Sequence, residues 1–167
     1  SADQKNIVAQ AKVAEIKPSK KDVFSLVGVR SPSTLERSIQ RYGYYEPFMV
    51  DKIMSHVSST DLVYDIGADI GYYSVLFSKV LKCKKVVSVE PNKKHSNFLK
   101  INLANNDSWL HIKKYVGNRS DKDLITIDDL VSSTQIMPTV IKIDIEGAEV
   151  EALEGAKSLL INQKPKL

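Results

Sequence analysis

The chain has 167 residues, 43% hydrophobic and 26% charged, with a formal net charge of +4 and a pI near 9.0. That is one globular domain's worth of sequence, long enough to bury a core without disulfides. No window reaches the ~18 consecutive apolar residues of a membrane span, and the single cysteine, Cys83, permits no internal disulfide. A cytoplasmic protein without a signal peptide is therefore expected. The lysines are scattered over 17–21, 79–85 and 93–100. Such spacing reads as a solvated surface, and nucleic acid is disfavoured as a partner.

In chain order, Ile7, Val8, Ala11 and Ala14 sit at helical spacing and predict an amphipathic helix over residues 3–16. Residues 17–30 contain Pro18 and Gly28 and read as a connector with one apolar run, Val23–Val27. Ser31-Pro32-Ser33-Thr34 is a helix-start signal for Leu35–Tyr42, and Pro47 opens a further helix carrying Phe48, Met49, Ile53, Met54 and Val57. Residues 1–60 are thus expected to form an N-terminal helical segment packed on a core of residues 61–167. Within that core, strands are predicted at Leu62–Ile66, Lys85–Val89, Leu110–Val116 and Val140–Ile145. Helices are predicted at Gly71–Leu81, Ser96–Asn105 and Ala148–Leu160. The alternation implies an α/β fold, a mostly parallel sheet of right-handed βαβ units with helices on both faces. Such sheets bind ligands at the carboxyl ends of their strands.

Three segments at strand ends carry the chemistry. In Asp65-Ile66-Gly67-Ala68-Asp69-Ile70-Gly71, Gly67 and Gly71 permit backbone conformations and close approaches that a Cβ would block. The spacing is not that of G-x-G-x-x-G or of a P-loop, and the two acids would repel phosphate. A nicotinamide oxidoreductase is disfavoured on the same ground. A ligand with positive amino and sulfonium groups suits Asp65 and Asp69, although a glycine-bearing turn occurs in many α/β proteins. Glu90 falls 25 positions beyond Asp65 at the end of the next strand, where a carboxylate can accept from both hydroxyls of a ribose. In Ile141-Lys142-Ile143-Asp144-Ile145-Glu146-Gly147-Ala148-Glu149, alternation places Lys142, Asp144 and Glu146 on one side of the strand. Charges in so apolar a strand are costly unless paired. Asp144 and Glu146 could serve as a general base or orient a nucleophile. With no nearby histidine in sequence, no metal is expected there. Glu149 reads as a helix-start charge, and no catalytic thiol is expected of Cys83.

These stretches resemble the FkbM family of S-adenosylmethionine-dependent methyltransferases over roughly residues 42–160. The resemblance rests on Tyr44-Tyr45-Glu46-Pro47, Val63–Ser74, Val89-Glu90-Pro91-Asn92, Thr126-Ile127-Asp128-Asp129-Leu130 and Ile141–Ala156. It implies a Rossmann-like class I methyltransferase fold, S-adenosylmethionine as cofactor, and methyl transfer commonly to oxygen; it does not fix an acceptor, for which a hydroxyl of a small molecule or glycan is the expectation here. It also implies site roles. Asp65, Gly67, Asp69 and Gly71 would hold the methionine end and Glu90 the ribose, Asn92 would also contact the cofactor, and Gly117 would let the backbone approach the adenine. Asp144 and Glu146 would face the acceptor.

Two departures stand out. Position 69 is Asp where that pattern carries Asn or a small residue, so repulsion of the methionine carboxylate is expected unless Asp69 pairs with the cofactor's ammonium. The last strands of the fold are also missing, because the chain reaches Leu167 where a fifth strand should follow Lys164-Pro165-Lys166. A fragment, a reduced relative, or an oligomer or partner that completes the sheet would each account for this. The competing reading is a non-catalytic methyltransferase-like binding or scaffold subunit.

Overall fold

The computed structural model describes residues 12–19, 22–29 and 33–167. A four-stranded parallel sheet organises them, built from β3 (Leu62–Ile66), β4 (Lys85–Val89), β5 (Trp109–Ile112) and β8 (Val140–Ile143) in the order β5-β4-β3-β8. After β5 the chain crosses to the far side of β3, so the strand order reverses between β3 and β8. A crevice forms at the carboxyl ends of such a pair.

Period-two alternation divides the strands between two cores. Val63, Val86 and Val140 face a cluster completed by α3 (Tyr72–Val75), α4 (Lys93–Asn102) and the N-terminal elements. Tyr64, Ile66, Val87, Val89 and Ile141 face a second cluster with α5 (Ile127–Thr134), α6 (Glu149–Glu154) and α7 (Lys157–Asn162). Both faces are covered, as the apolar strands require. No helix among the described residues is long and apolar enough to cross a membrane.

The N-terminal portion is not wholly helical as expected. β1 (Val13–Ile16) and β2 (Phe24–Val27) form an antiparallel pair, with Val13 opposite Val27 and Ile16 opposite Phe24. Residues 3–11 of the expected first helix lie outside the described residues. Over four residues a helical and an extended spacing are hard to tell apart. Pairing settles it: Phe24 and Leu26 turn inward while Ser25 stays exposed. The hairpin is fixed by Asn102, whose amide accepts from Val27 N–H (2.7 Å) and donates to the carbonyls of Val27 (2.9 Å) and Ile70 (2.7 Å). The two expected helices follow as α1 (Thr34–Tyr42), capped by Ser33, and α2 (Pro47–His56), with Pro at its first turn.

Other boundaries shift as well: the expected helix Ser96–Asn105 is α4, Lys93–Asn102, capped by Asn92, and the expected strand Val140–Ile145 ends at Ile143. The helix after β3 runs from Tyr72, and Leu81 N–H reaches Leu76 O five residues back at 3.0 Å, a widened turn over Leu76–Val80. The expected third strand breaks at Lys113-Lys114, leaving β6 (Tyr115–Val116) to pair with β7 (Leu124–Ile125). The expected helix Ala148–Leu160 is two helices divided at Gly155, where a Cβ would lie 2.1 Å from Gly117 O. Asp128 caps the second of them, its carboxylate accepting Ser158 and Leu159 N–H at 2.9 Å each.

At the pole opposite the crevice, Lys166 continues the sheet beside β8. Its N–H donates to Thr139 O, and its carbonyl accepts Ile141 N–H. Its ammonium lies 3.2 Å from Asp61, which also accepts from Thr139 Oγ1 and from Ser58. Burial opposes the charge on Asp61, but these donors outweigh it and hold the carboxyl at about 2. Burial and the Asp61 charge push the nearby Cys83 thiol up to about 11, so it is an inert core residue.

In the unfolded chain the Asp61 carboxyl returns to about 3.8. Its contribution to stability is therefore complete above that value and is lost as pH falls through about 2. Denaturant unfolding between pH 6 and pH 2 should show the wild type losing stability over this interval. Asp61→Asn should be less stable at neutral pH and flatter across the acid range.

Candidate functional site

A cavity of about 460 Å³ opens where β3, β4 and β8 end, within the size range of small-molecule sites. Its floor is the turn after β3, whose residues 67, 69 and 71 all have positive φ, at 78°, 48° and 96°. Gly67 is required twice over. Its φ is left-handed, and a Cβ would meet Asp144 O at 1.9 Å. The turn hangs from the end of β4, because Val89 O accepts both Gly67 N–H (3.0 Å) and Ala68 N–H (3.1 Å). Gly71 does not line the cavity. It opens α3, and its missing Cβ admits Leu99 of α4, which would otherwise lie 2.6 Å away.

Glu90 forms part of the wall. One carboxylate oxygen accepts Asp69 N–H (2.9 Å) and the other accepts Asn92 N–H (2.8 Å). The side chain is buried, which raises its pKa, as does the Asp69 charge, against the two N–H groups and His95. Asn92 also borders the cavity, yet its side chain is occupied in capping α4 through Lys94 and His95 N–H. The extra carboxylate at position 69 has a partner within the protein, since His95 Nδ1 lies 2.7 Å from Asp69 Oδ1 and 4.0 Å from Glu90. That imidazole compensates the added carboxylate in its protonated form.

Asp65 is fully buried and does not line the cavity. It accepts from Ser74 Oγ at 2.6 Å and pairs with Lys142 Nζ at 3.2 Å. Ser74 meets Ser88 at 2.6 Å, and Ser88 accepts from Trp109 Nε1 at 2.8 Å. Since Asp65 is in register with both Ser88 and Lys142, a polar row crosses the sheet from β5 to β8 on one face. Lys142 reaches the cavity wall, donates to Gly67 O at 3.0 Å, stands 3.9 Å from Asp144 and lies over the Tyr73 ring.

Asp144 and Glu146 border the cavity but lie beyond the end of β8. Both are exposed, and Glu146 has a φ of 53°. The strand alternation therefore reaches Lys142 and stops. Glu149 caps this turn, accepting Ile145 and Gly147 N–H. Gly117 does not line the cavity; it packs against Gly155 and Leu124. No group of three or more potential metal ligands is clustered among the described residues.

Sequence reasoning missed His95 and the tyrosines. His95 sits in the first turn of α4, five positions after Glu90, a spacing that places its ring beside the strand end. Tyr45 and Tyr72 lie edge-to-face at 5.7 Å, as do Tyr72 and Tyr73 at 5.0 Å. The Tyr72 hydroxyl bonds the Tyr45 backbone, and the Tyr73 hydroxyl donates to Glu46. Burial and neighbouring carboxylates raise all three phenols, so they line the cavity as neutral groups.

A doubly covered parallel sheet, a glycine turn after its β3 strand, an acid closing β4 and a cavity at the reversal of strand order define a Rossmann-like domain of the methyltransferase type. Residues 49–151 match the TRM5/TYW2 methyltransferase domain, and the chain belongs to that family. The fold is shared with methyltransferase FkbM from Methylobacillus flagellatus KT, at 26% identity and a TM-score of 0.57 over 66% of this chain. That likeness spans 32% of the FkbM chain. TYW2 from M. jannaschii, solved in complex with AdoMet, aligns at 16% identity and a TM-score of 0.43, covering 89% of this chain and 74% of its own. No curated protein matches the chain in sequence.

The Asp65–Lys142 pair is buried and coupled, so removing one member leaves a desolvated charge. Lys142→Met should destabilise the domain by about 3–5 kcal/mol. Asp65→Asn combined with Lys142→Met should recover much of that loss, as read by urea denaturation of the single and double variants.

Proposed function

We propose that this domain binds S-adenosylmethionine in the cavity and transfers its methyl group to a hydroxyl of a small molecule or glycan, in a cytoplasmic setting. The observation that carries the reading is Glu90. Each of its carboxylate oxygens accepts one backbone N–H and keeps further acceptor capacity at the cavity wall, which suits the two hydroxyls of a ribose. The cavity volume and the acids at its edge fit the rest of a cationic nucleoside cofactor.

The cofactor would supply a methyl carbon on a sulfonium. The chain's own residues bind, orient and handle the proton. Glu90 and the turn at Gly67 fix the nucleoside side. Asp69, paired with His95, faces the same space. Asp144 stands at the cavity edge next to Lys142, where its carboxylate can take the proton of an attacking hydroxyl, and Glu146 can orient the acceptor. Asp65 supports this arrangement from behind the wall. Positioning and exclusion of water supply most of the rate enhancement in such a displacement.

Calorimetry with S-adenosylhomocysteine tests the cofactor site. The wild type should bind. Glu90→Ala should lose about 1.5–3 kcal/mol, roughly tenfold to over a hundredfold in affinity. Equal affinities would remove Glu90 from the site, and a wild type that does not bind would favour the scaffold reading. Because burial raises the Glu90 pKa, affinity should fall on acidification earlier than an ordinary glutamate would dictate, and Glu90→Gln should lack that limb.

A further inference from the structure

Gly67 and Ala68 share a peptide that is gripped at both ends. Its N–H, on Ala68, donates to Val89 O at 3.1 Å. Its carbonyl, on Gly67, accepts from Lys142 Nζ at 3.0 Å, and among the described residues Lys142 is the sole donor to that oxygen. One residue further on, Asp69 N–H meets Glu90. Three positive φ values in five residues, one of them at a non-glycine, make this a turn that its surroundings must hold in shape.

We propose that Lys142 is a positioning residue for the cofactor: by holding the Gly67 carbonyl it fixes the first peptide of the turn, one peptide before the Asp69 N–H that meets Glu90, and so sets the shape of the ribose-side wall. The proposal rests on the reading of the cavity as the cofactor site. Lys142 suits the role because its own placement is imposed from behind. Asp65, itself held by Ser74, lies 3.2 Å from the ammonium, and the Tyr73 ring lies against it with its centroid 5.2 Å away. A lysine required only to neutralise Asp65 would need no contact with the turn. This one reaches across β3 to the loop and still borders the cavity. Without it, the Gly67 carbonyl has no partner among the described residues and the peptide is held at its N–H end alone, which loosens the turn that carries Asp69 N–H to Glu90.

The test separates support of the turn from compensation of the buried acid. S-adenosylhomocysteine is titrated calorimetrically into the full chain as wild type, Asp65→Asn, Asp65→Asn/Lys142→Met and Lys142→Arg, with a thermal midpoint for each. Adding Lys142→Met to Asp65→Asn is expected to leave the midpoint unchanged or higher, since an unpaired buried ammonium is removed, while affinity falls roughly tenfold or more. Lys142→Arg, which keeps donors near Gly67 O, should bind more tightly than the double variant. Equal affinity for Asp65→Asn with and without Lys142 would overturn the proposal and leave Lys142 as a counter-ion. A wild type that binds nothing would instead defeat the cofactor reading itself. Because the comparison is made in the Asp65→Asn background, it stands even if Lys142→Met alone does not fold.

Discussion

Asp65 is a carboxylate with no exposure at the centre of a four-stranded parallel sheet, and its neighbours are arranged around the problem of keeping it there. An isolated charge in that position would be prohibitively costly. The register supplies the solution. Ser88 on one side and Lys142 on the other are its direct cross-strand partners, and Ser74 closes over it from the helix above. Each of these groups then needs its own hydrogen-bond partners, and the row extends outward to Trp109 at one edge and to the cavity at the other. A polar network of this kind is favourable only when nearly every member is satisfied.

The turn after β3 inherits its shape from the same arrangement. Val89 holds it from β4 and Lys142 from β8, so the two strands that flank β3 both grip the loop that follows it. Tyr45, between α1 and α2, and Tyr72 and Tyr73 of α3 line one side of the cavity, and the hydroxyls of the latter two bond the Tyr45 backbone and the Glu46 carboxylate. Asn102 ties the N-terminal hairpin to the loop from below, accepting at Val27 and donating at Ile70. A single buried amide thus links three parts of the chain that are distant in sequence.

Much of this was legible beforehand. The strands at Leu62–Ile66 and Lys85–Val89 fall at their expected boundaries, because short apolar runs closed by an acid and a glycine or proline leave little freedom. The glycine turn and Glu90 were placed at strand ends for the same reason. Contacts between distant segments were not legible. Nothing local distinguishes Gly117 as a packing glycine, because the reason lies at Gly155. Asp65 reads as a ligand-facing acid until Lys142 is seen behind it. The hairpin at 13–27 was read as a helix and a connector because its pairing partner, not its composition, decides it. Asp144 and Glu146 were assigned to a strand that ends before them, since alternation alone does not show where a strand stops.

The lone thiol has a practical consequence. Cys83 is buried, hard to ionise, and donates toward Ser58 O beside the Asp61 cluster where Lys166 joins the sheet. A disulfide-forming or alkylating reagent can reach it only when that pole opens, so its labelling rate at fixed pH measures local opening free energy without any engineered probe. The same inertness leaves the rest of the surface free of competing sulfur chemistry. A cysteine introduced at the cavity rim would therefore take a fluorophore selectively, and two sites at opposite ends of one sheet could be followed independently in the same molecule.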